Sequence, residues 1–307
     1  MTLHPGAQEY VEQVLAAPPV WEVSLEQARR AIDDETLDAF GPLDEVAEIR
    51  EEEIEGPGGP IRVRIYRPDP AGAVLPVVVY FHGGGWVVGS IESHDPVCRA
   101  LAAHAPAAVV SVDYRLAPES PFPAAVEDAW AATAWTADHA AELGADPARL
   151  AVAGDSAGGN LAAVVALRAR DRGLPLALQV LIYPVIDCDL DSPGYVEHGT
   201  GLNLTRAKME WYWRQYLGDA DGGHPDASPS RAGDWAGVAP ALVQVAEYDP
   251  LHHEGVQYAR ALEAAGVGVR LSSYPGQIHG FVRLAALCGP DAHDALDEIA
   301  TAVRALR

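Results

Sequence analysis

Residues 149–170 read RLAVAGDSAGGNLAAVVALRAR. A short apolar run ends in Gly154-Asp155-Ser156-Ala157-Gly158, and an Ala- and Leu-rich helical pattern begins directly after it. This is the strand, sharp turn and helix that a G-x-S-x-G nucleophile elbow requires. A side chain at either flanking glycine would collide as the backbone reverses. The turn lifts the serine hydroxyl off a sheet and aims a helix N-terminus at developing negative charge. With 29 glycines and 11 serines in 307 residues, chance supplies about 0.1 such pentapeptides, so the context decides against an ordinary glycine-rich turn.

Working outward, further short apolar or β-branched runs occupy residues 76–81, 107–112, 178–183, 241–246 and 267–274. Helical, mostly Ala-rich stretches separate most of them, as at 124–140, 160–170 and 293–306. Alternating strands and helices over some two hundred residues predict a mostly parallel sheet of about eight strands, covered on both faces. The first two strands are expected as a hairpin: EVAEIREEEI and IRVRIYR alternate apolar and charged residues around GPGG, and the run Glu51-Glu52-Glu53 reads as its wet face. Residues 1–44 read as short helices broken at Pro18-Pro19. Residues 188–235 carry turns and one aromatic helix, AKMEWYWRQYL, with no strand signal. An insertion of that length in an α/β domain is usually functional. The division expected is a core of 45–187 and 236–307 under a cap made of 1–44 and 188–235.

His82-Gly83-Gly84-Gly85-Trp86 follows the run PVVVYF, and chance would place about 0.01 HGGG strings in such a chain. Consecutive glycines let backbone N–H groups converge on a ligand, as an oxyanion hole for acyl transfer needs. The expected donors are Gly83, Gly84 and, after the serine, Ala157. His82 reads as a hydrogen-bonding brace for this loop rather than a base.

HGGGW and GDSAGGN, together with YRLAPESPFPAA (114–125), EYDPLHHEG (247–255) and IHGF (278–281), resemble the hormone-sensitive-lipase family, the GDSAG-type bacterial family IV esterases. The resemblance spans residues 82–281 in order and implies an α/β-hydrolase fold, a helical cap and carboxylesterase activity without cofactor or metal. It maps the remaining triad members onto Asp249 and His279. Both follow apolar runs, 241–246 and 267–274, and so leave the same carboxyl edge of the sheet as Ser156. The order Ser156, Asp249, His279 is the α/β-hydrolase order. The implied substrates are short- to medium-chain esters. Amidase, lactonase or deacetylase chemistry uses the same triad, and plant gibberellin receptors resemble the family as binding proteins, without a functional triad histidine; His279 argues against that reading here. Trp86, Met209, Trp213 and Tyr216 are expected to line the acyl or alcohol pocket, packing inside the cap being the other reading.

Composition narrows the rest. Twenty-one Lys+Arg against 44 Asp+Glu give a net charge of −23, which repels nucleic acid and anionic lipid. Three distant cysteines, Cys98, Cys188 and Cys288, signal neither zinc nor a disulfide framework. No apolar run reaches the ~18 residues of a membrane span, and no secretory leader pattern opens the chain, so a cytoplasmic location is expected. Asp187, Asp189 and Asp191 imitate a calcium loop but place Ser192 and His198 where Gly and Glu belong. A hydrogen-bonding role near the elbow is expected for Asp187, and a solvated helix start for His252-His253. Residues 267–274 form an edge that either pairs across a homodimer or lies under the last helix.

Overall fold

The computed structural model describes residues 2–68 and 74–306. Glu48–Ile54 (β1) and Ile61–Arg67 (β2) form the hairpin, antiparallel and in register from Glu48 opposite Arg67 to Ile54 opposite Ile61. Six more strands follow: Leu75–Phe81 (β3), Ala108–Val112 (β4), Ala145–Asp155 (β5), Leu178–Ile182 (β6), Ala241–Tyr248 (β7) and Val269–Ile278 (β8). They assemble in the order β1-β2-β4-β3-β5-β6-β7-β8. β2 meets β4 antiparallel, and every pairing from β4 through β8 is parallel.

The helices are Pro5–Ala16 (α1), Leu25–Phe40 (α2), Asp95–His104 (α3), Ala124–Asp138 (α4), Ala157–Arg172 (α5), Pro193–His198 (α6), Arg206–Leu217 (α7), His252–Ala264 (α8), Ala285–Cys288 (α9) and Pro290–Arg304 (α10). β3 shows how the layers are made. All seven of its residues are buried, and the period of two divides them: Val77, Val79 and Phe81 face one core with Leu161 and Val165 of α5, while Val78 and Tyr80 face the other with Val97 of α3 and Ile299 of α10. A strand buried on both faces has no polar alternation, which is why its sequence is a continuous apolar run.

Glu51 and Glu53 are exposed, as expected of the wet face, but the hairpin is also ion-paired. Arg62 and Arg64 of β2 bond Glu51, Glu92, Asp95 and Asp113, so part of the Glu51-Glu52-Glu53 run faces an ion-pair lattice. At the opposite edge lies β8; Glu298 of α10 accepts hydrogen bonds from its Ser272 and Tyr274 hydroxyls, 2.6 and 2.9 Å. The insertion holds no strand, as expected, and adds the short α6 to the aromatic helix α7. α1 and α2 pack on α9, and α2 also packs on the 3₁₀ turn Phe281–Leu284, beside the carboxyl end of β8. Arg29 of α2 donates to the carbonyls of Val87 (2.9 Å) and Ala117 (3.2 Å), fastening these helices over the glycine loop.

Candidate active site

Ser156 sits between β5 and α5 with φ +55° and ψ −117°, a conformation that costs energy for a side-chain-bearing residue. The surroundings enforce it. Its N–H donates to the Ile182 carbonyl (2.9 Å), and its own carbonyl accepts from Asn160 and Val185. A Cβ on Gly158 would stand 1.9 Å from the Phe81 carbonyl oxygen, and one on Gly154 2.3 Å from that of Gly158. Only glycine lets β3, β5 and α5 approach this closely.

Asp249 and His279, expected beside Ser156, are brought to it. His279 Nε2 lies 2.9 Å from Ser156 Oγ, and Nδ1 lies 2.7 Å from Asp249 Oδ2. Asp249 is fully buried, and its other oxygen accepts the Leu251 N–H at 2.8 Å. The His279 ring meets Tyr183 edge-on at 4.9 Å, and its carbonyl accepts from Asn203 Nδ2 at 2.8 Å. Ser156 and His279 retain slight exposure, 8% and 9%. That exposure opens onto a cavity of about 460 Å³. Gly84 and Gly85 line one side of it, Tyr10 and Val14 of α1 another, and Met209 and Tyr212 of α7 a third.

The glycine loop corrects one expectation. The Gly83 N–H is already spent: it donates to Asp155 Oδ1 at 2.9 Å and lies 3.2 Å from His94 Nε2. Among the described residues the Gly84 and Gly85 N–H groups have no acceptor. Ala157, at the first position of α5, is one of the helix-start residues whose N–H lacks an intrahelical partner. Gly84 adopts φ +116°, and a Cβ there would meet the Val88 carbonyl oxygen at 2.1 Å.

Asp155 is the site residue that the sequence reading missed, although it is the variable second position of the elbow. Its buried carboxylate collects the Tyr80 hydroxyl (2.9 Å), the Gly83 N–H (2.9 Å) and His94 Nε2 (3.1 Å). Burial alone would raise its pKa, but His94 beside it and these hydrogen bonds hold it well below the usual carboxylate range. His82 does brace the loop: Nδ1 lies 2.8 Å from the Gly83 carbonyl, and the ring stacks on Tyr114 at 4.2 Å. Burial, with His94 nearby, lowers its pKa to about 3, so it stays neutral.

Of the four residues expected around the pocket, only Met209 lines it. Trp86 stacks on Tyr216 at 4.0 Å, with Trp213 4.7 Å from Trp86, in a buried cluster behind the cavity wall. Tyr212, on the same helix as Trp213, takes the expected place. Asp187 accepts from Ser230 and Arg231 and so ties down the end of the insertion. His252 opens α8, its Nδ1 2.8 Å from the Ala246 carbonyl.

A family model described as an alpha/beta hydrolase fold matches residues 78–283. The chain is 47% identical over 256 residues to the esterase LipI of Mycobacterium tuberculosis, covering 82% of this chain and 80% of that one. It is 40% identical over 302 residues to an ethyl acetate hydrolase of Pseudomonas putida, covering 94% of each. Among solved structures, a hyperthermophilic esterase from the archaeon Pyrobaculum calidifontis superposes with a TM-score of 0.92 at 43% identity, covering 99% of this chain and 98% of that one.

Proposed function

Because the chain belongs to the hormone-sensitive-lipase-like branch of the α/β hydrolases and is a carboxylic ester hydrolase, we propose that Ser156, His279 and Asp249 are its catalytic triad, acting on short- to medium-chain acyl esters. The observation that carries this reading is the continuous chain from Ser156 Oγ through the His279 ring to Asp249, at 2.9 and 2.7 Å. His279 Nε2 takes the hydroxyl proton as Ser156 Oγ attacks the ester carbonyl, and Asp249 steadies the resulting imidazolium. The tetrahedral oxyanion is held by the N–H groups of Gly84, Gly85 and Ala157, Gly85 standing where Gly83 was expected. The intermediate collapses as His279 protonates the leaving alcohol. Water, deprotonated by the same imidazole, then releases the acid from the acyl-enzyme.

Residues 1–44 and 188–235 act as the cap: α1, α2 and α7 wall the cavity, whose size is that of a small-molecule site. The substrate is therefore a small-molecule ester. No helix among the described residues is long and apolar enough to cross a membrane, and three unpaired cysteines fit a reducing, cytoplasmic setting. A purely binding role is disfavoured by the intact histidine.

The test is hydrolysis of p-nitrophenyl butyrate by the wild type and Ser156→Ala, with folding of both followed by circular dichroism. Turnover by the wild type and a loss of at least about 10³-fold in the variant is expected. Equal activity in the two proteins removes Ser156 from the mechanism, and a folded wild type inert toward the whole p-nitrophenyl series from acetate to palmitate rejects the substrate class.

A further inference from the structure

Lys208 is the only lysine in a chain with 20 arginines, and it lies in the wall of the active-site cavity. It occupies the first turn of α7, whose start is fixed by the Thr205 hydroxyl accepting the Lys208 N–H at 3.2 Å. Its side chain is partly buried. Nζ makes one long hydrogen bond, 3.3 Å to the Asn203 carbonyl, and the amide of that same Asn203 donates to the His279 carbonyl. The ammonium is thus one residue removed from the proposed base.

An ammonium has three donors. Lys208 spends one of them on a neutral carbonyl, and among the described residues no carboxylate lies within ion-pair distance of it. Elsewhere arginine forks pair with carboxylates, as Arg115 does with Asp128 and Arg168 with Asp226. On the same cavity wall lies Arg283, with Glu35 3.6 Å from it. Glu35 stands beside the guanidinium of Arg283, and no ion pair joins it to Lys208. Burial and Arg283 lower the lysine pKa while Glu35 opposes them. A partly desolvated, underbonded cation is costly unless something anionic completes it. Val14, Ile32, Met209 and Leu284 also line the cavity, so Lys208, Arg283 and Glu35 form a charged patch beside apolar wall.

We propose that Lys208 is a specificity-determining residue: the cavity selects esters that carry an anionic group, a carboxylate on the acyl or the alcohol half, and Lys208 pairs with it during turnover. The proposal rests on the ester-hydrolase reading above. A compact point charge on a flexible stem suits this task, since it reaches a single carboxylate oxygen without imposing the planar geometry of a guanidinium. The acidic exterior does not prevent it, because charges beyond a Debye length of ~8 Å are screened at physiological salt.

The test compares kcat/KM for p-nitrophenyl butyrate with that for the mono-p-nitrophenyl ester of glutaric acid and for the butyryl ester of 4-hydroxybenzoate. These place the carboxylate on the acyl and the alcohol half respectively. The quantity read is the ratio of anionic to neutral ester within each protein. For at least one anionic ester this ratio is expected to fall about tenfold or more in Lys208→Met and to recover in part in Lys208→Arg, tenfold being ~1.4 kcal/mol. Ratios unchanged within about twofold for both anionic esters in folded Lys208→Met overturn the subsite while leaving ester hydrolysis intact. A wild type that hydrolyses none of the three fails the underlying reading instead. Should Lys208→Met not fold, the wild type decides by NMR of its ¹³C-dimethylated ε-amine. Saturating glutarate is expected to move that titration midpoint upward, and no movement overturns the proposal.

Discussion

Asp155 adjoins Ser156 in sequence but spends its carboxylate on the glycine loop, through Gly83, His94 and Tyr80. It therefore decides which N–H groups are left for an oxyanion. Replacing it with asparagine keeps an acceptor for Gly83 and removes the charge facing His94. We expect Asp155→Asn to lower kcat by tenfold or more, short of the ~10²–10³ for complete loss of one donor, with a smaller change in KM, measured by steady-state kinetics on p-nitrophenyl butyrate. Unchanged kcat would show that the loop holds its shape without the carboxylate. At this scale Asp249 and His279 came from the family resemblance, with which their strand ends and chain order agree, while Ser156 was readable from its turn type. The donor set was not: three adjacent glycines look alike in sequence, and only the backbone torsions and the Asp155 contact separate Gly83 from Gly84 and Gly85. Nor does helical spacing on α7 tell a residue packed on Trp86, such as Tyr216, from one facing the cavity, such as Met209.

The strands were legible one by one because the central stretches of β3 to β7 are buried on both faces and read as mainly apolar runs, whereas the hairpin alternates. Less visible was how the insertion and the N-terminal helices attach, since single side chains reaching across long sequence separations make those joints. Arg29 is one of them. Arg29→Ala deletes its bonds to Val87, Ala117 and Glu119 and is expected to raise KM several-fold with a smaller effect on kcat. The stability cost should be about 1 kcal/mol, because the ion pair with Glu119 is exposed and screened. Michaelis curves and thermal melts check both, and an unchanged KM would detach α2 from substrate binding. The elbow is less forgiving. With no space for a methyl beside the Phe81 carbonyl, Gly158→Ala is expected to yield no soluble folded protein, and a soluble, fully active variant would contradict the close approach of β3 and α5.

Across the whole molecule, the net charge of −23 coexists with buried groups that tie stability to pH. His82 has its pKa lowered to about 3 by burial and His94, and Glu92 is held down at about 2 by Arg62 against the pull of burial. In each case the unfolded chain binds the proton first, so their contributions are present above about 6.5 and 4.5 and are lost as pH falls toward 3 and 2. Glu254 runs the other way. Burial raises its pKa well above 4.5, so its contribution is fully present below 4.5 and is lost as pH rises through the raised value. Urea midpoints are therefore expected to drop from pH 6.5 to 3, and Glu254→Gln should gain on the wild type toward alkaline pH; a pH-independent difference between the two would place an ionised Glu254 in the fold. The central claim, that Ser156 is the nucleophile, is met most directly by intact-mass spectrometry after treatment with a fluorophosphonate. The account predicts one phosphonyl adduct per chain, mapped by peptide digestion to Ser156 and absent from Ser156→Ala. A folded wild type that takes no adduct, or takes it on another residue, would contradict it.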